Sequence, residues 1–437
     1  MLLEFSVGNF LSFKDRVTIS MEAAGISEFP ENTFRAERYK LLKTAVVYGA
    51  NASGKSNLMR AMSTMRYLVR SSAQRSSADG FEVTPFLLST ETEKQPCFFE
   101  VLFLLGSVRY RYGFEVLGKE VRSEWLFQAK AQVENCLFIR EGELIEVGKK
   151  FPEGENLEEK TRANALFLSV ADQFNGPLAK RIMAWFANWN TISGSIHEEY
   201  RTITRDLFRE GAKREALLEF IRELDLGFRH LEIREEENEV DVYRKYPGMV
   251  SFVKEPQAIY GSKEDRVNFN TRHDVFDPEG KKAGEQVFDM KSQESAGTNK
   301  LFDLLGPIFY TLQKGSVLVV DELDSKLHPL LTKTLLGLFH SRESNRLNAQ
   351  LVFATHDTNL LSYGDFRRDQ VYFVEKDRSG ATDLYSLLEY KEDGQTVRKD
   401  RSFEKDYIQG RYGAIPYFGD FSKFMDRWEK EVVSPGM

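Results

Sequence analysis

The chain has 437 residues, 41% hydrophobic and 29% charged, a balance that allows roughly two to four globular units and excludes wholesale disorder. Thirty glycines and twelve prolines exclude a collagen-like or low-complexity chain. Sixty Lys and Arg against 67 Asp and Glu leave a net charge of −7, which argues against a surface coated for bulk nucleic-acid binding and leaves room only for a local basic groove.

The longest apolar run, Phe98 to Gly106, is interrupted by Glu100. It falls far short of the roughly 18–20 residues of a membrane span, so no membrane partner is expected. The first ten residues carry Glu4 and no basic stretch, so no signal peptide is expected. Cys97 and Cys136 have no CxxC spacing and no nearby His, which speaks against a disulfide framework or a zinc site and fits a reducing cytoplasm.

In chain order, residues 3–19 place apolar and β-branched side chains in alternation and predict a hairpin. Ala45 to Tyr48 is a short apolar strand. A glycine-bearing loop follows, then a helix with apolar positions at Leu58, Met62, Met65 and Leu68. Residues 71–80 are small and polar and predict a loop. From 81 to about 150 strand follows strand with short turns, the pattern of an antiparallel layer.

From 156 to 230 the spacing turns helical, at 163–174, 177–189 and 207–224, which predicts a helical insertion. Strands return at 231–233, 240–243 and 266–269. The last part alternates: helix 301–312, strand 317–320, helix 330–339, strands 351–354 and 371–375. That order predicts a mostly parallel sheet with helices on its faces. The expected division is therefore 1–155, an insertion at 156–230, and 231–437.

Four motifs carry chemistry. Gly49-Ala-Asn51-Ala-Ser53-Gly54-Lys55-Ser56-Asn57 contains G-x-x-x-x-G-K-[ST] in full, between a strand and a helix. Such a loop closes backbone N–H groups around a phosphate, Lys55 reaches the outer phosphates, and Ser56 presents a hydroxyl to Mg²⁺. Val317 to Val320 followed by Asp321-Glu322 is an apolar strand ending in two acids, which suits a metal-holding Asp321 and a water-polarising Glu322. Glu294-Ser295-Ala296-Gly297-Thr298 opens a helix and is either an anion-contacting turn or a plain Ser N-cap. Thr355-His356-Asp357 follows the next strand, where the histidine is either a packing residue or a phosphate contact.

Together these resemble the ATP-binding-cassette ATPases of the RecF/SMC/Rad50-like branch, whose order is P-loop, signature, Walker B, D-loop and H-loop. The stretches YGANASGKSN, ESAGTNKLF, DELDSKLHP, ATHDTNLL and GRYGAIP further resemble the bacterial AAA-family ATPases of antiphage and abortive-infection loci, of the RloA-, PARIS- and Septu-type. The likeness covers about residues 1–120 and 260–420. It implies an α/β P-loop ABC-ATPase head: a mostly parallel sheet flanked by helices, an antiparallel β layer, and a helical insertion.

The resemblance also implies roles. ATP and Mg²⁺ are the expected cofactors, held by Gly49, Asn51, Ser53, Gly54, Lys55, Ser56 and Asn57, with Asp321 as the second metal-shell acid. Glu322 is the implied catalytic base and His356 the implied γ-phosphate switch. Ser295, Gly297 and the D-loop residue Asp324 are the implied contacts to nucleotide and interface in a second copy, which predicts a homodimer or higher even-numbered oligomer. The signature reads SAGT and the N-terminal stretch reads Asn9-Phe-Leu-Ser-Phe13, with Leu11 where relatives often carry a basic residue. Gln95 and Gln128 are both candidates for the Q-loop.

In a composite site ATP acts as adhesive between two heads, and loss of its outer phosphate releases them. Roughly 5.5 kcal/mol moves such an equilibrium from 1:99 to 99:1, within reach of several charge-assisted hydrogen bonds. Three outputs are open: a cytoplasmic ATP-driven sensor or scaffold controlling a separate effector such as a nuclease or toxin, a nuclease in its own right, or a RecF/Rad50-like DNA-repair ATPase. Too few residues follow His356 to suggest a Toprim nuclease, the six histidines form no HNH cluster, and no heptad arms are visible. Arg201, Arg205, Arg209 and Lys213 recur every four residues and predict one basic helix face, either solvated or meeting phosphate. Residues 409–416 read as a tight turn with a partner contact as the alternative, and His328-Pro329 as a helix start.

Overall fold

The computed structural model describes residues 1–130, 133–192, 200–224, 226–228, 230–235, 267–362, 366–392, 395–398 and 401–415. Strand β1 (Leu2–Gly8) turns into β2 (Val17–Ser20), the hairpin expected from alternation. A small ribbon, β3 (Thr33–Ala36) and β4 (Tyr39–Leu42), leads into β5 (Thr44–Tyr48) and the 17-residue helix α1 (Lys55–Ser71). Then come β6 (Cys97–Leu105), β7 (Val108–Leu117), β8 (Glu120–Ala129), β9 (Asn135–Glu141) and β10 (Leu144–Val147). With β1 and β2 they form one seven-stranded antiparallel sheet, in the order β10-β9-β8-β7-β6-β1-β2.

Helices α2 (Phe167–Gln173) and α3 (Pro177–Ala187) follow, then the short strand β11 (Trp189–Ile192). Helices α4 (Arg201–Arg209) and α5 (Gly211–Glu223) lead to a three-stranded sheet of β12 (His230–Glu235), β13 (Val267–Phe276) and β14 (Lys282–Asp289). The rest is α6 (Met290–Gln293), α7 (Ala296–Lys314), β15 (Val317–Val320), α8 (Pro329–His340), β16 (Gln350–Ala354), α9 (Asn359–Ser362), β17 (Val371–Lys376), β18 (Thr382–Ser386) and α10 (Phe403–Ile408). The strand expected at 240–243 and residue 266 lie outside the described residues.

The second sheet has the order β11-β15-β16-β5-β17-β18, parallel except for β18. Its strands are apolar on both faces because both faces are covered. Along β15, Val317 and Val319 enter one core and Leu318 and Val320 the other. The first core also holds α1, α2, α3 and the inner face of the antiparallel sheet, so α1 is packed between the two sheets. The second holds α7, α8, α4 and α5. Each fully buried Leu, Met or Val contributes roughly 1.5–3 kcal/mol, so these faces decide the arrangement.

The stretch 156–230, expected as a helical insertion, is woven into this frame. Trp189 pairs with Val317 and Ile192 with Val320, so β11 is the edge strand of the parallel sheet. Ile182, Phe186 and Trp189 are fully buried against Phe5, Phe103 and Tyr112. The predicted basic stripe is also corrected. Glu210, at φ −89° and ψ 107°, separates α4 from α5, so Lys213 does not continue the face of α4. Arg201 and Arg205 are buried, because α4 turns that face onto α7. Lys213 pairs with Glu210 at 2.5 Å.

The first strands and hairpin loops are bound to the later strands of the parallel sheet. Gln350 on β16 accepts from Leu2 N at 2.7 Å and donates to the Leu2 and Leu42 carbonyls. The fully buried Arg367 donates to the carbonyls of Ala24, Ile26 and Glu28 and pairs with Asp369 at 2.7 Å. Among the described residues, no helix is long and apolar enough to cross a membrane.

Candidate functional site

Strand β5 ends at Tyr48 and α1 begins at Lys55, so the glycine motif is the turn between a buried strand and a long helix. The N-terminus of α1 therefore points its free N–H groups and positive dipole end at the loop. Gly54 sits at φ +122°, and a Cβ there would stand 2.6 Å from Thr382 Oγ1, so this corner requires glycine. Thr382 also fixes the loop from behind. Its hydroxyl donates to Ser53 O at 2.8 Å and lies 2.8 Å from the Ser12 hydroxyl, and its N–H donates to Ser12 O. Ser12 and Thr382 thus bring the first hairpin and the last strand of the sheet to the P-loop, and neither was read as a site residue.

Lys55 folds back over its loop and donates to the carbonyls of Gly49 at 2.7 Å and Ala50 at 3.0 Å. Burial pulls its pKa down to about 8, against the pull of Asp321, Glu322 and Asp324 in the other direction. Asn51 on the loop and Ser56 in the first turn of α1 are exposed. Asn57 turns its amide to Ser12 Oγ at 2.7 Å, which fixes it toward the hairpin rather than the loop's centre. Asn9 gathers the neighbouring loop by donating to the carbonyls of Thr92, Gln95 and Pro96 and accepting from Phe86 N. Gln95 lies in that loop, whereas Gln128 lies within β8, paired with Asn135.

Strand β15 runs parallel to β5 with β16 between them, so Asp321 and Glu322 emerge at the same carboxyl edge as the P-loop. Asp321 N donates to Ile192 O at 3.0 Å, which uses β11 to hold the acid's backbone. Burial raises the Asp321 pKa; a hydrogen bond with Ser56 lowers it, Glu322 raises it further, and Lys55 opposes. Asp321 Oδ1 and Ser53 Oγ are buried and have no hydrogen-bond partner among the described residues. Buried polar atoms are almost always bonded, so these two fit a group that the protein itself does not supply. The Ser56 hydroxyl and the Asp321 carboxylate are hard oxygen donors of the kind Mg²⁺ takes.

Glu322 has φ +50°, a left-handed conformation costing about 1 kcal/mol for a residue with a Cβ. Its carbonyl accepts from Lys300 Nζ at 2.6 Å. The next residue, Leu323, donates its N–H to Ala354 O at 3.1 Å, tying this turn to the end of β16. His356 follows β16 and is exposed, with its backbone N–H held by the Asp324 carboxylate. Partial desolvation and then the positive charge of Lys55 lower the His356 pKa, against the three acids, which favours the neutral ring. Asp324, implied to serve an interface, therefore also has a partner within its own chain.

The signature segment opens α7. Ser295 is exposed and caps the helix, its Oγ accepting from Thr298 N at 3.0 Å. A Cβ at Gly297 would stand 2.6 Å from Lys326 O, so glycine lets this turn lie against the D-loop backbone. Asn299, Lys300 and Asp303 are buried on the same helix. Arg201 on α4 pairs with Asp303 at 2.6 Å and donates to Asn299 Oδ1 at 2.8 Å. Just upstream, Glu294 accepts from Thr271 and meets His273 Nε2 at 2.6 Å. Lys300, Arg201 and Asp303 were not singled out for this role, because a lysine or aspartate in a helix reads as solvated until its neighbours are known.

The 409–415 segment is an internal brace; Pro416 lies outside the described residues. Gly410 and Gly413 both have positive φ, and Tyr412 is fully buried with its hydroxyl 3.0 Å from Asp406. Tyr407 stacks on Phe373 and lies 5.7 Å from Tyr48, directly beneath the P-loop strand. Tyr48 OH reaches Asp357 O at 3.1 Å, beside His356. His328 caps α8 through Nδ1, with Pro329 at the first helical position as expected.

The family model described as "AAA domain, putative AbiEii toxin, Type IV TA system" matches residues 45–362, from the P-loop strand to just beyond His356. Among solved structures, an SMC head domain from Thermotoga maritima is 14% identical at a TM-score of 0.39, covering 88% of this chain and 98% of that one. An SMC head bound to the C-winged helix domain of ScpA gives the same identity and TM-score, covering 88% of this chain and 97% of that one. No curated protein matches the chain.

Proposed function

The chain belongs to the AAA-domain family whose model spans residues 45–362, and from that premise we propose that it is a Mg²⁺-dependent ATP hydrolase working as an ATP-driven switch. The carrying observation is the convergence of Lys55, Ser56, Asp321 and Glu322 at the carboxyl edge of one parallel sheet, with a buried Asp321 oxygen that has no partner among the described residues.

In this reading the loop N–H groups and Lys55 bind the outer phosphates. Ser56 and Asp321 would hold Mg²⁺, which neutralises phosphate charge when bound. Glu322 orients the attacking water and accepts its proton as water adds to the outer phosphorus and ADP leaves. The neutral His356 ring donates a hydrogen bond toward the same phosphate. The exposed Ser295 and the turn at Gly297 suit contact with nucleotide held by a second copy, giving a dimer whose closure depends on ATP.

The reading extends to bacterial antiphage defence through a separate effector; the family's printed description, which places the AAA domain with a putative toxin of a type IV TA system, supports only the link to toxin systems. The burial of Arg201 and Arg205 breaks the basic face that could have met nucleic-acid phosphate. Phosphate release from the purified full chain tests the enzymatic reading: it should require Mg²⁺, vanish in Lys55→Ala and fall steeply to a measurable residue in Glu322→Gln. Release equal in wild type and both variants would end it. For the defence reading, phage plating on cells carrying the gene with its neighbouring reading frame should fall, and should recover with Glu322→Gln.

A further inference from the structure

We propose that Lys300 is the positioning residue that holds Glu322 in its working backbone conformation and ties it to the start of the signature helix. This inference rests on the ATPase reading above. Lys300 is fully buried, and its ammonium donates to Glu322 O at 2.6 Å. Lysine is rarely placed in such a position, because burying an ammonium is costly unless its donors are used. Here the Glu322 carbonyl uses one donor, and the charges of Asp324, Glu322 and Asp321 favour the ammonium against burial and the like charge of Lys326.

The recipient is a carbonyl, and it belongs to the one residue of the Walker B pair with a left-handed backbone, φ +50°. That conformation persists only where neighbours over-determine it. Leu323 N on Ala354 O fixes the chain after Glu322, and Lys300 fixes Glu322 itself. The side-chain direction of Glu322, and so its aim at a water, follows from that backbone.

Lys300 also stands on a pinned element. On one side Gly297 abuts Lys326 O; on the other Arg201 grips Asn299 and Asp303. The first turns of α7 therefore cannot shift without moving the Glu322 carbonyl. Contact at the exposed Ser295 would reach the hydrolytic residue of the same chain through five residues of rigid helix and one hydrogen bond.

Steady-state hydrolysis and nucleotide binding of Lys300 variants test this in the full-length chain, with wild type and Glu322→Gln alongside. Lys300→Met should lower kcat at least tenfold while the Kd for a fluorescent ATP analogue stays within about twofold. Lys300→Arg, which keeps a charged donor, should recover a substantial part of kcat. In a Glu322→Gln background Lys300→Met should add no further loss, since both act on one group. If Lys300→Met melts far below wild type, Lys300→Gln, shorter and neutral with a donor retained, serves in its place. Unchanged kcat, an equal loss of analogue binding, or a loss additive with Glu322→Gln would overturn the assignment. Wild type that hydrolyses no more than Glu322→Gln would instead overturn the ATPase reading beneath it.

Discussion

The Asp324 carboxylate accepts the backbone N–H of His356 from both oxygens, at 3.3 and 3.4 Å, across a separation of 32 residues. One side chain after Walker B thereby sets the backbone that carries the histidine after the next strand. Charge-assisted hydrogen bonds contribute roughly 1.5–3 kcal/mol. Asp324→Ala should lower kcat by about tenfold or more, and Asp324→Asn, which still presents an oxygen, by less. Steady-state phosphate release on the two variants checks the order; a larger loss in Asn than in Ala would refute the backbone-holding role.

The alkaline limb of the pH profile should report Lys55. Its folded pKa is lowered to about 8 by burial, so the fraction able to meet phosphate as a cation shrinks above that pH. kcat/KM, which reports the free enzyme, should therefore fall as pH rises through about 8 and stay level just below it. For stability the sign is opposite. The unfolded lysine holds its proton to about 10.5, so between pH 8 and 10.5 the unfolded state binds more protons and this group's contribution to stability rises with pH. A kcat/KM that climbs between pH 8 and 9.5 would contradict the assignment.

Arg201 and Asp303 form a buried pair between α4 and α7, and breaking one partner of such a pair typically costs about 3–5 kcal/mol. Arg201→Ala should lower Tm by several degrees, while Arg209→Ala, on the exposed side of α4, should change it little. Thermal melts of the two variants distinguish a packed face from a solvated one, and comparable shifts in both would restore the single basic face.

Gly297 tests the contact between the signature turn and the D-loop. A methyl group placed 2.6 Å from Lys326 O has to displace backbone, at a cost of roughly 1–3 kcal/mol. Gly297→Ala should therefore lose hydrolysis in excess of ATP binding, measured by phosphate release and analogue titration. Wild-type hydrolysis in this variant would show that the contact is dispensable.

Much of the head was legible because its signals are local. β5 and β15 are short runs of apolar residues, and each is followed by residues whose spacing suits the phosphate and metal chemistry proposed for the site. What was hidden depends on tertiary contacts. β11 is four residues long and carries Asn190 and Thr191 at its centre, so the helical spacing of α3 runs into it unbroken. β14, Lys282–Asp289, is mostly exposed and rich in polar residues and shows no buried alternation. The break at Glu210 is backbone conformation, invisible in the four-residue repeat of Arg201 to Lys213. Lys300, Ser12 and Thr382 acquire their roles only when distant segments meet.

In the proposed mechanism ATP joins two copies through this site. Light-scattering mass of Glu322→Gln, with and without Mg-ATP and beside Lys55→Ala, tests it most directly. ATP should raise the mass of Glu322→Gln toward twice the chain and leave Lys55→Ala unchanged. A mass that ATP leaves unchanged in Glu322→Gln, or raises equally in Lys55→Ala, would contradict it.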